Sequence, residues 1–191
     1  MKTLLASLGF ISATAMASEP VQQQISDVYA SSNLVVFVEV ASGEIVRKNE
    51  QKCGTNYRLR IVKGFKGIST EYLDVTDRSG VVGAVGSRAV MFLYKTDGFR
   101  PGNYPQYSGL SKFIDSCSTD APEIQPVHVL QQTYHPESVG MNGFIIQEAL
   151  LAVPRNVSKL CAAPKGSGSS YPAVVDQEDV FGYLETLEDG T

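Results

Sequence analysis

Leu34 to Val40 reads Leu-Val-Val-Phe-Val-Glu-Val, a β-branched and aromatic run that predicts a strand buried on much of both faces. Gly43 interrupts it, and the polar stretch Arg47 to Lys52 predicts a hairpin. Tyr57 to Val62 then alternates with period two. Tyr57, Leu59 and Ile61 face one way and Arg58 and Arg60 the other, as in a strand with one wet side. Lys63 to Gly67 is punctuated by glycine and predicts a connection. Tyr72 to Thr76 alternates again, and Arg88 to Tyr94 is a second strongly apolar strand.

Helical spacing is clearest at the ends, with Leu150 to Val153 readable as strand or helix. Val21, Ile25 and Val28 predict a short helix from about Val21 to Ala30, closed by Ser31, Ser32 and Asn33. Near the other end, Val180, Phe181, Leu184 and Leu187 form a stripe behind acidic residues, with Asp176 placed to cap it. Between them, Ser111 to Asp115, Val127 to Leu130, Phe144 to Ile146 and Leu150 to Val153 are further short apolar segments. The pattern predicts a mainly β fold, a small barrel or sandwich with one helix at each end.

The first 17 residues stand apart. A short positive start, an apolar run from Leu4 to Ile11 and the small-x-small site Ala15-Met16-Ala17 have the form of a cleavable export signal. The run is too short for a membrane span, and the product is expected to be secreted or periplasmic. Cleavage leaves 174 of the 191 residues, and loss of Lys2 takes the net charge from −4 to −5. That mildly acidic balance offers no overall attraction to nucleic acid or to anionic lipid.

Export changes the reading of Cys53, Cys117 and Cys161. In an oxidising compartment three cysteines imply one disulfide and one cysteine left over, and three pairings are open to them. The absence of C-x-x-C encodes neither a redox pair nor a zinc knuckle locally. A nucleophilic Cys117 with His128 or His135 as base is the enzymatic alternative to a disulfide. The two histidines lack a carboxylate cluster, so no metal is expected. Gly80, Gly83 and Gly86 match no phosphate-loop spacing and carry no Lys-Ser/Thr, and no cofactor fingerprint occurs elsewhere. Asn156-Val157-Ser158 is a formal glycosylation sequon, meaningful in a eukaryotic source.

The order helix, LVVFVEV, polar hairpin, CGTNYRLRIVKGFKG, LDVT and GSRAVMFLY resembles the netrin-like module. This is the OB-type β-barrel of the tissue inhibitors of metalloproteinases and of many bacterial envelope proteins. The resemblance implies a barrel domain over residues 18–164 with carboxyl-terminal extension strands, while the composition of Lys165 to Ser170 reads as a flexible tether to the helix within 165–191. The resemblance also implies a Cys53–Cys117 disulfide, because both cysteines flank strands of that module, with Cys117–Cys161 as the alternative. Those inhibitors chelate zinc through an amino-terminal cysteine. Here the expected terminus is Ser18-Glu19-Pro20, so that chemistry does not carry over.

The expected function is therefore an exported, non-catalytic binding module acting on a protein partner through its loops. Phe99, Arg100, Tyr104 and Tyr107 are the candidate contact residues, because aromatics and arginine supply binding hot spots. A protease inhibitor that works without amino-terminal chelation and a cysteine-dependent hydrolase are the alternatives.

Overall fold

The computed structural model describes residues 22–67, 70–100, 117–134, 142–146, 150–161 and 172–189. Its elements in chain order are β1 (Gln23–Gln24), α1 (Ile25–Ser31), β2 (Leu34–Lys48), β3 (Gln51–Lys66), β4 (Tyr72–Asp77) and β5 (Arg88–Thr96). After these come β6 (Glu123–Tyr134), β7 (Asn142–Ile146), β8 (Leu151–Ala152), β9 (Lys159–Cys161), β10 (Ala173–Asp176) and α2 (Gln177–Asp189). The described residues are mainly β with two helices. Eight strands form one antiparallel sheet in the order β4-β3-β2-β5-β6-β7-β10-β9. β1 and β8 pair separately, in parallel.

Alternation along β2 and β5 divides the core into two layers. Leu34, Val36, Val38 and Val40 join Ala89, Met91, Leu93, Leu59 and Val75 on one face of the sheet. Val35 and Phe37 join Val90 and Phe92 on the other, under both helices. Here α1 contributes Ile25, Val28 and Tyr29, while α2 contributes Val180, Phe181 and Leu184. The Phe181 ring lies 5.0 to 5.7 Å, centre to centre, from those of Phe37, Phe65 and Phe144. Aromatic rings at such separations add to the area they bury. The backbone N–H of Asp179 donates to Asp176 Oδ1 at 3.0 Å, so Asp176 caps α2 as the sequence predicts.

Several boundaries differ from the sequence reading. β2 runs straight through Gly43 to Lys48, because its ladder with β3 continues to Lys48↔Gln51 beyond the buried part of the strand. Asn49 and Glu50, both at positive φ (50° and 67°), make the tight turn. Lys63 to Lys66 belong to β3 rather than to a connection, since Phe65 is fully buried under α2 and anchors the strand end. α1 starts at Ile25, because Gln23 and Gln24 are extended and pair with Leu151 and Ala152. Val21, the Ser111 to Asp115 segment and the tether at 165–170 lie outside the described residues.

β4 and β6 are four places apart in the sheet, which on a flat sheet is roughly 19 Å. Their Cα atoms nevertheless come within 8 Å of each other. The sheet must therefore curl strongly, with the Leu34–Val40 layer inside the curl. Among the described residues no backbone ladder joins β4 to β6.

Candidate functional site

Where the curled sheet brings β4 to the start of β6, the chain is tied together by covalent and buried polar links. Cys53 on β3 is disulfide-bonded to Cys117, with Cα atoms 5.3 Å apart. The cystine is buried against Val46 and Phe99. Phe99 pairs with Thr119 in an isolated bridge, the two backbones exchanging hydrogen bonds of 2.9 and 3.0 Å. Gly98 makes this approach feasible: at φ 138° a Cβ there would sit 2.4 Å from the Thr119 carbonyl oxygen.

Arg78 is the second link. Its Nη1 donates to the Cys53 carbonyl at 2.6 Å, Nε donates to Glu123 Oε2 at 3.3 Å, and Nη2 pairs with Glu123 Oε1. Its guanidinium carbon lies 4.9 Å from the centre of the Phe99 ring. Only 7% of the Arg78 side chain and 9% of the Glu123 side chain are exposed, so the pair is a buried, multiply hydrogen-bonded ion pair. Gln125 Nε2 donates to Glu123 Oε2 at 2.9 Å, satisfying that carboxylate further.

The loop after β4 is built by one carboxylate. Buried Asp77 accepts from the backbone N–H groups of Ser79, Gly80 and Val82 at 2.8 to 2.9 Å and from Ser79 Oγ at 3.0 Å. The glycine-spaced segment is thus a structured loop rather than a ligand cradle. An aspartate two residues ahead of Ser-Gly, as in Asp77-Arg78-Ser79-Gly80, is the sequence signal for such a turn.

Around this scaffold lies a cleft of about 430 Å³, lined by Arg47, Lys48, Cys53, Arg78, Ser118 and Glu123 among others. A second cleft of about 610 Å³ is lined by Glu44, Tyr57, Arg58, Asp74 and Ile124. They share Asn56, Thr76, Pro122 and Glu123, so they join in one groove lined by parts of β2, β3, β4 and residues 117–124. Lys48 Nζ reaches across to the Ser118 carbonyl at 3.1 Å. Arg100 pairs with Asp120 at the exposed rim.

Of the candidate contact residues, Arg100 is exposed beside this groove. Phe99 is 2% exposed and so is not a contact side chain: the cystine, Val46 and Arg78 enclose its ring as part of the scaffold. Tyr104 and Tyr107 lie outside the described residues, as does His135. With its sulfur bonded to Cys53, Cys117 has no thiolate to act as a nucleophile. Cys161 is half-buried on β9, outside the disulfide, and Asn156 is exposed in the turn before β9.

Arg58, Arg60, Lys63 and Lys66 of β3 are engaged within the fold, Arg58 over the Tyr72 ring. Arg60 and Arg88 both bind Glu39, and these hydrogen bonds hold the Glu39 carboxyl below its ordinary titration range. Lys63 pairs with Glu185 of α2, and Lys66 donates to the carbonyls of Tyr29 and Ala30 at the end of α1.

His128 sits half-buried on β6 with Nε2 2.9 Å from Gln23 Oε1. Burial pushes its imidazole below the ordinary 6.5. The unfolded chain therefore binds a proton that the folded one resists, so stability is full above pH 6.5 and declines as pH falls below it. Denaturant midpoints measured between pH 7.5 and 5 should fall with acidification, and His128→Gln should flatten that slope. An unchanged slope in the variant would assign the pH dependence to other groups.

Neither a protein family, nor a curated protein, nor a solved structure matches this chain.

Proposed function

We propose that this chain is an exported, non-catalytic binding module on the OB-type, netrin-like barrel plan, and that it meets a protein partner at its disulfide-linked end. The barrel reading draws on strand connectivity. β2 pairs with both β3 and β5, β4 continues from β3, β6 continues from β5, and the curl brings β4 and β6 side by side. Export accounts for a disulfide in a chain of this size, since oxidising compartments preserve such bonds.

The observation that carries the binding role is the rigidity of this end. Disulfide, buried Arg78–Glu123 pair and Phe99–Thr119 bridge lock three chain segments, while Arg47, Lys48 and Arg100 stay on the surface. A pre-ordered surface loses little conformational entropy when it binds, so more of its contact energy appears as affinity. Arginine on such a surface is a strong anchor.

The test is capture of the partner by the exported protein, comparing wild type with an Arg100→Ala/Tyr104→Ala/Tyr107→Ala variant. Capture should drop at least about tenfold, the loss typical of a removed hot spot, with an unchanged circular dichroism spectrum. Equal capture by the two proteins would remove this loop from the interface.

A further inference from the structure

We infer that the cleft at Lys48 is a socket for one carboxylate side chain, an aspartate or glutamate presented by the protein partner. The inference deepens the binding-module reading and rests on it, naming the chemistry by which the disulfide-linked end recognises that partner.

Hydrogen-bonding capacity gives the first argument. The cleft holds about 430 Å³, and its principal acceptors are already in use. The Cys53 carbonyl accepts from Arg78, the Ser118 carbonyl from Lys48, and the Thr119 carbonyl from the Phe99 backbone N–H. Thr119 Oγ1 accepts from the Ala121 N–H, and the Glu123 carboxylate accepts from Arg78 and Gln125. Thr76 Oγ1 donates to Asn56 Oδ1 at 2.9 Å, which occupies the amide oxygen and leaves the Asn56 NH2 group to donate. Lys48 carries three N–H donors and places one on Ser118. A lining with donors to spare and its acceptors occupied suits a ligand that only accepts. Among side chains, the ionised carboxylate is that ligand.

Charge gives the second. Arg47, Lys48 and Arg78 line the cleft against Glu123, its one carboxylate among the described residues. Arg78 and Glu123 neutralise each other, so Arg47 and Lys48 are left over. Arg47 Nη1 and Lys48 Nζ donate to the carbonyls of Glu50 and Ser118, and neither cation has a carboxylate partner among the described residues. Lys52 stands opposite Arg47 in the β2–β3 ladder, a like-charged cross-strand pair that repels. A bound anion relieves that repulsion. This excess of cations sits on a chain whose net charge is −4, so it is local to the disulfide-linked end.

Position gives the third. Ser118 is followed by Thr119, whose backbone is bridged to Phe99, and Arg100 comes next on the exposed rim. The cleft is thus continuous with the surface proposed above to meet the partner. A protein seated on Arg100 can lower an acidic side chain into the cleft without disturbing the fold. The Lys48 ammonium is already tied to the Ser118 carbonyl, and the Asn56 amide to Thr76, so little side-chain entropy is lost when the carboxylate arrives. A lysine presented at the same place meets like charge, which gives selectivity as well as affinity.

The experiment titrates three ligands into the full exported protein, labelled with nitrogen-15 and read by two-dimensional NMR at constant ionic strength. The first is a short glycine-serine peptide, capped at both ends, with one central glutamate. The second has glutamine in place of that glutamate, and the third is inorganic phosphate. The glutamate peptide should shift the Asn56 side-chain NH2 signals and the Lys48 and Ser118 amide signals to saturation. Its dissociation constant should be about tenfold below that of the glutamine peptide, the margin of one charge-assisted hydrogen bond. Lys48→Gln should weaken the glutamate peptide about tenfold as well, Lys48→Arg should restore most of the affinity, and the amide signals of Phe37 and Val90 should show the fold intact in both. Equal affinities for the two peptides, unmoved signals at the cleft, an unaffected Lys48→Gln variant, or phosphate bound as tightly as the glutamate peptide would overturn the inference. If it fails while the Arg100/Tyr104/Tyr107 variant still loses its partner, the binding module stands and only the socket is lost.

Discussion

Replacing Arg78 by methionine should lower the unfolding free energy by about 3–5 kcal/mol, the cost of leaving one partner of a buried ion pair alone. Three losses combine in that substitution. Glu123 keeps a carboxylate in a site with 9% side-chain exposure, with Gln125 as its remaining donor. The Cys53 carbonyl loses its 2.6 Å donor, and the Phe99 ring loses the cation stacked on it. Equilibrium urea unfolding measures the total. The double variant Arg78→Met/Glu123→Leu separates charge from packing, because removing both ions of a buried pair is often close to neutral. The double variant should recover most of the loss. If it is as unstable as Arg78→Met alone, packing of the arginine stem against Phe99, rather than the orphaned carboxylate, sets the cost.

The second large effect belongs to the disulfide. Cys53 and Cys117 are 64 residues apart, and closing a loop of that length removes denatured-state entropy worth about 4 kcal/mol. The Cys53→Ser/Cys117→Ser variant should therefore melt about 10 °C lower than the oxidised wild type. Wild type treated with a thiol reductant should match it. The loss should be greatest at the linked end, so hydrogen exchange should quicken at Phe99, Ser118 and Thr119 before it quickens at Phe37 or Val90. Uniform loss of protection would mean that this end has no stability separable from the core.

The two-layer core was legible because it is written in single side chains. Leu34 to Val40 has apolar residues at both parities, and the sheet uses both: even positions inside the curl, odd positions under the helices. Asp176 and the Val180–Leu184 stripe announced α2 in the same way. Polar strand ends were not legible. β2 beyond Gly43 lies where burial is low, and the partner strand rather than local propensity holds it extended. At Gly64 the strand is held by burial of Phe65 under α2, a contact distant in the chain.

The disulfide-linked end shows the same division. Cys53–Cys117 agrees with the pairing implied by the netrin-like resemblance, whereas residue spacing alone left three choices. Arg78 reads locally as a loop cation after a strand, and nothing near it in the chain points to Glu123, 45 residues on. Phe99, between Gly98 and Arg100, has the surroundings of an exposed loop tip. It is buried because the cystine and Val46 form an apolar recess that only the folded sheet creates. Asp77 with Ser79 and Gly80 was the one part of this end whose turn chemistry the sequence carries outright.

Everything proposed for this protein depends on an exported chain whose contact face is fastened by one cystine. Peptide mapping of the protein recovered from its native host under thiol-blocking conditions tests that directly. The expected result is a mature chain beginning at Ser18, with Cys53 and Cys117 in a single linked peptide and Cys161 outside it. Recovery from the cytosol with residues 1–17 retained and both cysteines blocked as thiols would contradict it.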